Sequence, residues 1–201
     1  MVHVLNVCGS LQARSSNRAA LDVVHAVIRD AGATIDEYDR LARIPPLNPD
    51  HVDAPGEFVG DWRARIARAD VVIIASPEYA GSLAGVLKNA LDWIVGSGEL
   101  YTKPVGLVSV GTSGGYHARR ALVQTLTWQG AHVVASLGIG APKTKSDADG
   151  RVADPETIVA LEAFGRSMMD IPTLGARARL DVVGGIVSDA GIDGHRVAPL
   201  D

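Results

Sequence analysis

The chain has 201 residues, is 47% hydrophobic and 21% charged, and carries a formal net charge of -4 with a pI near 5.8. This suits one substantial core in a single α/β domain, and the acidic balance with scattered Lys and Arg leaves no basic field for nucleic acid. The chain opens directly on a strand-like run, no uncharged apolar run reaches the ~18 residues that span a bilayer, and Cys8 stands alone; together these predict a cytoplasmic protein with no internal disulfide and no membrane association.

The first strand-like run covers residues 2–8 and ends in GSLQARSSNR, Gly9 to Arg18, before a helical pattern over 18–31. Cys8 reads as a small buried hydrophobe at the strand end. Ser10, Ser15, Ser16 and Asn17 can each offer a hydrogen bond to a phosphate oxygen, the helix N-terminus adds free N–H groups, and Arg14 or Arg18 adds a cation. The plain alternative is a polar turn with a Ser or Asn cap. Neither G-x-G-x-x-G nor G-x-x-x-x-G-K-[ST] occurs, so the commoner nucleotide loops are absent.

A second strand is predicted over 33–38, then a proline-rich connection from Arg40 to Gly60 suited to a cleft rim or a subunit contact. A helix over 57–68 follows. The apolar run 71–75 leads into SPEYAGS, where Pro77 ends the strand, Gly81 permits a turn and Ser82 is the expected cap of a helix over 83–95. That helix stacks Leu83, Val86, Leu87, Ala90, Leu91 and Ile94 on one side, with Lys88 and Asp92 paired on the other.

The strand over 104–110 ends in GTSGG, followed by a helix over 116–129, a strand over 132–138 and a helix over 155–169. Alternating strands and helices predict an α/β, flavodoxin-like three-layer sandwich: a five-stranded parallel sheet of order 2-1-3-4-5 with helices on both faces. Residues 1–170 form that domain, and 171–201, glycine-rich and weakly periodic, are a C-terminal extension that is either disordered or packed on a partner subunit.

Thr112, Ser113, Gly114 and Gly115 are suited to lie against a flat heterocycle and hydrogen-bond its polar edge. Gly111 to Gly115 also spells the G-x-S-x-G nucleophile elbow, and Asp147, Asp149 or Asp154 with His195 would supply a hydrolase triad in the matching chain order. No His-Gly-Gly-type oxyanion loop accompanies it. The six histidines share no metal-ligand spacing, so no metal is expected. Trp93 and Trp128 read as core or subunit contacts, and Tyr79 as a ring contact.

At these three loops the chain resembles the NADPH-dependent FMN reductase family of flavodoxin-like quinone and azo-dye reductases. The family's G-S-L-R-x-x-S-x-N-R falls on Gly9 to Arg18, with Gln12 where arginine is usual and Arg14 as the candidate substitute. Its P-E-Y-N-x-S-x-P-x-x-L-K-N-A-[IL]-D-W falls on Pro77 to Trp93, with Ala80 for asparagine and Ala84 for proline. The third loop is similar to the family's Gly-Gly turn, and DADGRVADPET from Asp147 resembles its flap. The resemblance implies that Ser10, Ser15 and Asn17 hold the FMN phosphate; Gln12, Arg14 and Ser16 complete the candidate cofactor-binding residues of this loop. Pro77, Glu78, Tyr79, Ala80, Gly81, Ser82 and the third loop then face the isoalloxazine ring. It also implies a homodimer or homotetramer and ping-pong hydride transfer from NADPH or NADH through FMN to a small acceptor: a quinone, flavin, azo compound or metal oxyanion. No protein acid, base or nucleophile is needed for that chemistry. A serine hydrolase on Ser113 and a non-catalytic flavin module for electron transfer are the competing expectations.

Overall fold

The computed structural model describes residues 1–200. Five parallel strands form one sheet: β1 (His3–Cys8), β2 (Thr34–Tyr38), β3 (Val71–Ala75), β6 (Pro104–Val110) and β7 (His132–Ile139), ordered β2-β1-β3-β6-β7. This is the expected flavodoxin-like order, with a separate two-stranded hairpin, β4 (Glu78–Tyr79) and β5 (Ser82–Leu83), inserted after β3. The central strands β3 and β6 are buried along their whole length, as predominantly apolar runs require when both faces of a parallel sheet are covered.

Helices α1 (Ser16–Asp30) and α5 (Pro155–Asp170) pack together on one face. Against the other lie α2 (Glu57–Arg68), α3 (Gly85–Asp92) and α4 (Tyr116–Trp128), as right-handed crossovers demand. The faces follow the apolar periodicity: Ala20, Leu21, Val24 and Ile28 of α1 are buried, and Lys88 meets Asp92 at 2.6 Å on the outer side of α3. At Gly106 the sheet leaves room for α5, since a Cβ there would stand 2.5 Å from the Met168 sulfur and 2.8 Å from Phe164.

One expectation needs correction. Ser82 does not cap α3, which begins at Gly85 behind Ala84; Ser82 instead pairs with Tyr79 in the hairpin. The proline-rich connection packs on the chain's own α3: Pro45 O accepts from the Trp93 indole at 2.7 Å and the Asn89 amide at 2.9 Å. Trp93 is therefore in the core, whereas Trp128 is 62% exposed, with Arg196 stacked 4.4 Å over its ring.

Residues 171–200 hold a further helix, α6 (Ala176–Asp189), lying on β7 and α4 of the same chain. It buries only Val183 and Val187, and Gly184 and Gly185 sit between them, which is why its periodicity is faint. The tail then runs back to the sheet, where Ala198 O meets the buried His132 ring at 2.7 Å.

Candidate cofactor site at the strand ends

The strand order reverses between β1 and β3, and in an open parallel sheet such a switch point is where a ligand binds, beyond the carboxyl ends of the strands. Cys8 pairs with Ala75 and Ala75 with Val108, so the loops after β1, β3 and β6 leave one margin side by side. With strands ~4.8 Å apart, the three exits span roughly 10 Å.

In the first loop Ser15 is the cap of α1, its oxygen accepting from the N–H of Asn17 at 3.2 Å and Arg18 at 3.4 Å. Ser10 Oγ accepts from the Gln12 N–H at 3.3 Å. The backbone N–H groups of Ser10, Leu11, Ala13, Arg14 and Ser15 have no partner among the described residues. That cluster of donors ahead of a 15-residue helix fits a phosphate group. Arg18 points elsewhere and pairs with Glu37 at 3.0 Å, while Arg14 reaches across to the flap and donates to Ala148 O at 2.9 Å. Gln12 is exposed, and Ser16 lies in the first turn of α1.

Asn17 has a role that its residue type did not reveal. Its buried amide donates to Val110 O and accepts from Val110 N–H, both at 3.0 Å, binding the start of α1 to the end of β6. The side chain is thereby turned into the protein and fixes the first loop against the third.

The second loop is fastened at both ends. Ser76 Oγ accepts from the Ala84 N–H at 3.2 Å, and the buried Ser109 hydroxyl donates to Ser76 O at 2.6 Å. Between them Tyr79, Ala80, Gly81 and Ser82 form a two-residue hairpin turn with φ of 49° at Ala80 and 71° at Gly81. Pro77 is buried and Tyr79 is 56% exposed at the turn. Glu78 Oε2 accepts from the N–H groups of His117 at 2.8 Å and Ala118 at 3.1 Å, so this loop closes the N-terminus of α4.

The third loop folds tightly. Gly114 and Gly115 have φ of 74° and 60°, and a Cβ on Gly115 would lie 1.8 Å from Ser109 Oγ. Thr112 and Ser113 are exposed, and the N–H groups of Thr112, Ser113 and Gly115 have no partner among the described residues. These donors fit the polar edge of a flavin ring. Arg119 supports the turn from below, donating to Gly114 O at 3.3 Å and Ser136 Oγ at 3.1 Å. Burial holds its guanidinium below the ordinary arginine value. Ser109 and Arg119 escaped the sequence reading, although a serine inside the apolar run PVGLVSV was a visible signal.

The hydrolase arrangement does not assemble. His195 belongs to the turn Gly194–Arg196, whose arginine covers Trp128 at the far end of α4, while Ser113 precedes its start. A helix of 13 residues puts them about 20 Å apart. Asp154 is engaged as the cap of α5, where hydrogen bonds from Thr157 hold its carboxyl below the usual range. Among the described residues no group of three or more His, Cys, Asp or Glu is placed to hold a metal ion, and no helix is long and apolar enough to cross a membrane.

The family model described as NADPH-dependent FMN reductase matches residues 2–145. An NAD(P)H:quinone oxidoreductase of Solanum tuberosum is 31% identical over 81% of this chain and 89% of its own. An NAD(P)H-dependent FMN reductase of Pseudomonas aeruginosa is 35% identical over 76% and 85%. Among solved structures, the flavoenzyme NAD(P)H:(acceptor) oxidoreductase of Paracoccus denitrificans superimposes with a TM-score of 0.73 at 25% identity, covering 85% of this chain and 96% of that one.

Proposed function

Since the chain belongs to the NADPH-dependent FMN reductase family, an oxidoreductase family using FMN and NAD(P)H, we propose that its three strand-end loops hold FMN phosphate-first and leave the ring open to a small acceptor. The observation that carries this is the set of unpartnered N–H donors at the first and third loops, brought to one margin by the sheet order.

Ser10, Ser15 and the free N–H groups of the first loop surround the phosphate, with Arg14 supplying the cation that Gln12 does not. Asn17 acts through the Val110 backbone and keeps the phosphate loop and the third loop at fixed separation. Thr112, Ser113 and the Gly115 N–H donate to the polar edge of the ring, where negative charge develops on reduction. Tyr79 covers the ring from the hairpin. FMN, when bound, supplies the redox chemistry, taking hydride from a nicotinamide and passing two electrons to the acceptor. The protein orients both partners over the same open face, so they take turns in it and the kinetics are ping-pong.

Quinones are the acceptor class favoured here, because relatives covered over most of their length carry that activity in their names. A groove between α3 and α4, lined by Leu83, Val95, Ala121 and Trp128, begins at the hairpin; Val95 is 64% and Trp128 62% exposed. A second copy of the chain covers this face in a homodimer, and the buried unpaired Cys8 accords with a cytoplasmic location.

Anaerobic stopped-flow tests the reading. NADPH or NADH should bleach the absorbance of the FMN-loaded protein in a single-turnover phase, and a quinone added afterwards should restore it. No bleaching by either nucleotide sinks the proposal.

A further inference from the structure

Resting on that assignment of the three loops, we infer that Glu78 tunes the bound flavin: anchored on the N-terminus of α4, its carboxylate offsets the helix field and weakens the site's preference for reduced over oxidised FMN. The geometry begins with a missing cap. Helix α4 follows Gly115, which has no side chain to offer its first N–H groups, and any Cβ there is forbidden by Ser109. An uncapped helix of 13 residues would present its open N–H groups and partial positive charge at the margin where the ring loops converge.

The cap comes instead from 39 residues earlier in the chain. Glu78 Oε2 takes the N–H groups of both His117 and Ala118, at the second and third positions of the helix. The cation beside this end is Arg119, on α4 itself, directed to Gly114 O and Ser136 and near enough to Glu78 for Coulomb attraction without an ion-pair contact. The Tyr116 and His117 rings stand edge to face at 5.2 Å on the same turn. Glu78 is thus the one carboxylate lodged between the ring-facing hairpin and α4.

Hydride transfer brings two electrons and one proton, so FMN gains one negative charge on reduction. A bare helix N-terminus would favour that form, and a carboxylate fixed on it works the other way. Glu78 also sits beside Tyr79, so the same contact positions the hairpin.

The test compares affinity for oxidised FMN with the midpoint potential of bound FMN, which together give the ratio of dissociation constants for the two redox forms. Glu78→Gln keeps the shape and one acceptor oxygen but removes the charge. Reduced FMN should gain about fivefold over oxidised FMN, the usual size of one charge at a helix terminus, or about 20 mV for a two-electron couple. Glu78→Asp keeps the charge and should return towards the parent potential. Tyr116→Glu, which adds a carboxylate at the exposed first position of α4, should shift the potential in the opposite direction and decides the matter if the Gln variant fails to fold. Equal weakening of both redox forms in Glu78→Gln, or no shift in Tyr116→Glu, overturns the inference. A parent protein that binds no FMN overturns the site assignment instead.

Discussion

The two ends of the sheet use their polar groups in opposite ways. At the carboxyl margin, N–H groups of the first and third loops stand without partners while the parts beneath them are clamped by Asn17, Ser76, Glu78 and Ser109. At the amino margin the polar heads are turned onto carbonyls: Lys103 Nζ donates to Ala67 O and Ala69 O, Arg179 to Thr102 O, and the His132 ring meets Ala198 O. Burial lowers the pKa of Lys103, Arg179 and His132 alike. Free backbone donors held on a rigid base serve a ligand, whereas side-chain heads bonded to carbonyls hold the chain together; the same sheet supplies both.

The largest effect should come from Gly115→Ala. The new methyl collides with Ser109 Oγ in a left-handed backbone, so unfolding by urea should show a loss of about 3 kcal/mol, with FMN binding abolished. A variant within 0.5 kcal/mol of the parent, a difference of the size seen at surface sites, would mean the third loop is not built on that contact. Next come Asn17→Ala and His132→Ala, one from each margin. Each leaves buried groups unpartnered and should cost about 2 kcal/mol, but only Asn17→Ala should weaken FMN binding, by tenfold or more. Equal losses of FMN affinity in both would break the contrast between the margins.

Acid should act through the buried imidazoles. His25 and His132 have folded-state pKa values lowered by desolvation, so the unfolded chain binds their protons more readily. The stability they lend is present above 6.5, their unfolded value, and is lost as pH falls below it towards their folded values. Urea midpoints followed from pH 7.5 to 5 should fall in the parent and fall less in His132→Gln, with slope ~1.4 kcal/mol per pH unit per proton as the ceiling. The smallest effect is a gain. Ala80 holds φ of 49° at the hairpin turn, where Ala80→Gly should add about 1 kcal/mol or slightly less to stability without moving its neighbours.

Much of the architecture was legible because it repeats. Short apolar runs at 71–75 and, interrupted by Ser109, at 104–110 pointed to buried strands, and the helices between them showed their faces by spacing. The hairpin was less visible, since Ala80-Gly81 lacks the Asn that usually marks such a turn, and α6 was hidden by the paired glycines between its two buried valines. In the site, the loops were readable from hydroxyls and glycines, but the tasks of individual side chains were not. Asn17 resembled a ligand and serves as a clamp; Glu78 resembled a ring contact and serves as a cap.

The sequence by itself determined the parallel α/β sandwich, the family and the three loops that gather at one margin, because periodicity and local loop chemistry are properties of neighbouring residues. The tertiary structure alone decided which donors stay free, that His195 lies a helix length from Ser113, and that Glu78 and Asn17 spend their side chains on backbone 39 and 93 residues away. Hydrogen bonds between segments so distant depend on how the strands are ordered in space, and a linear pattern carries no measure of that distance.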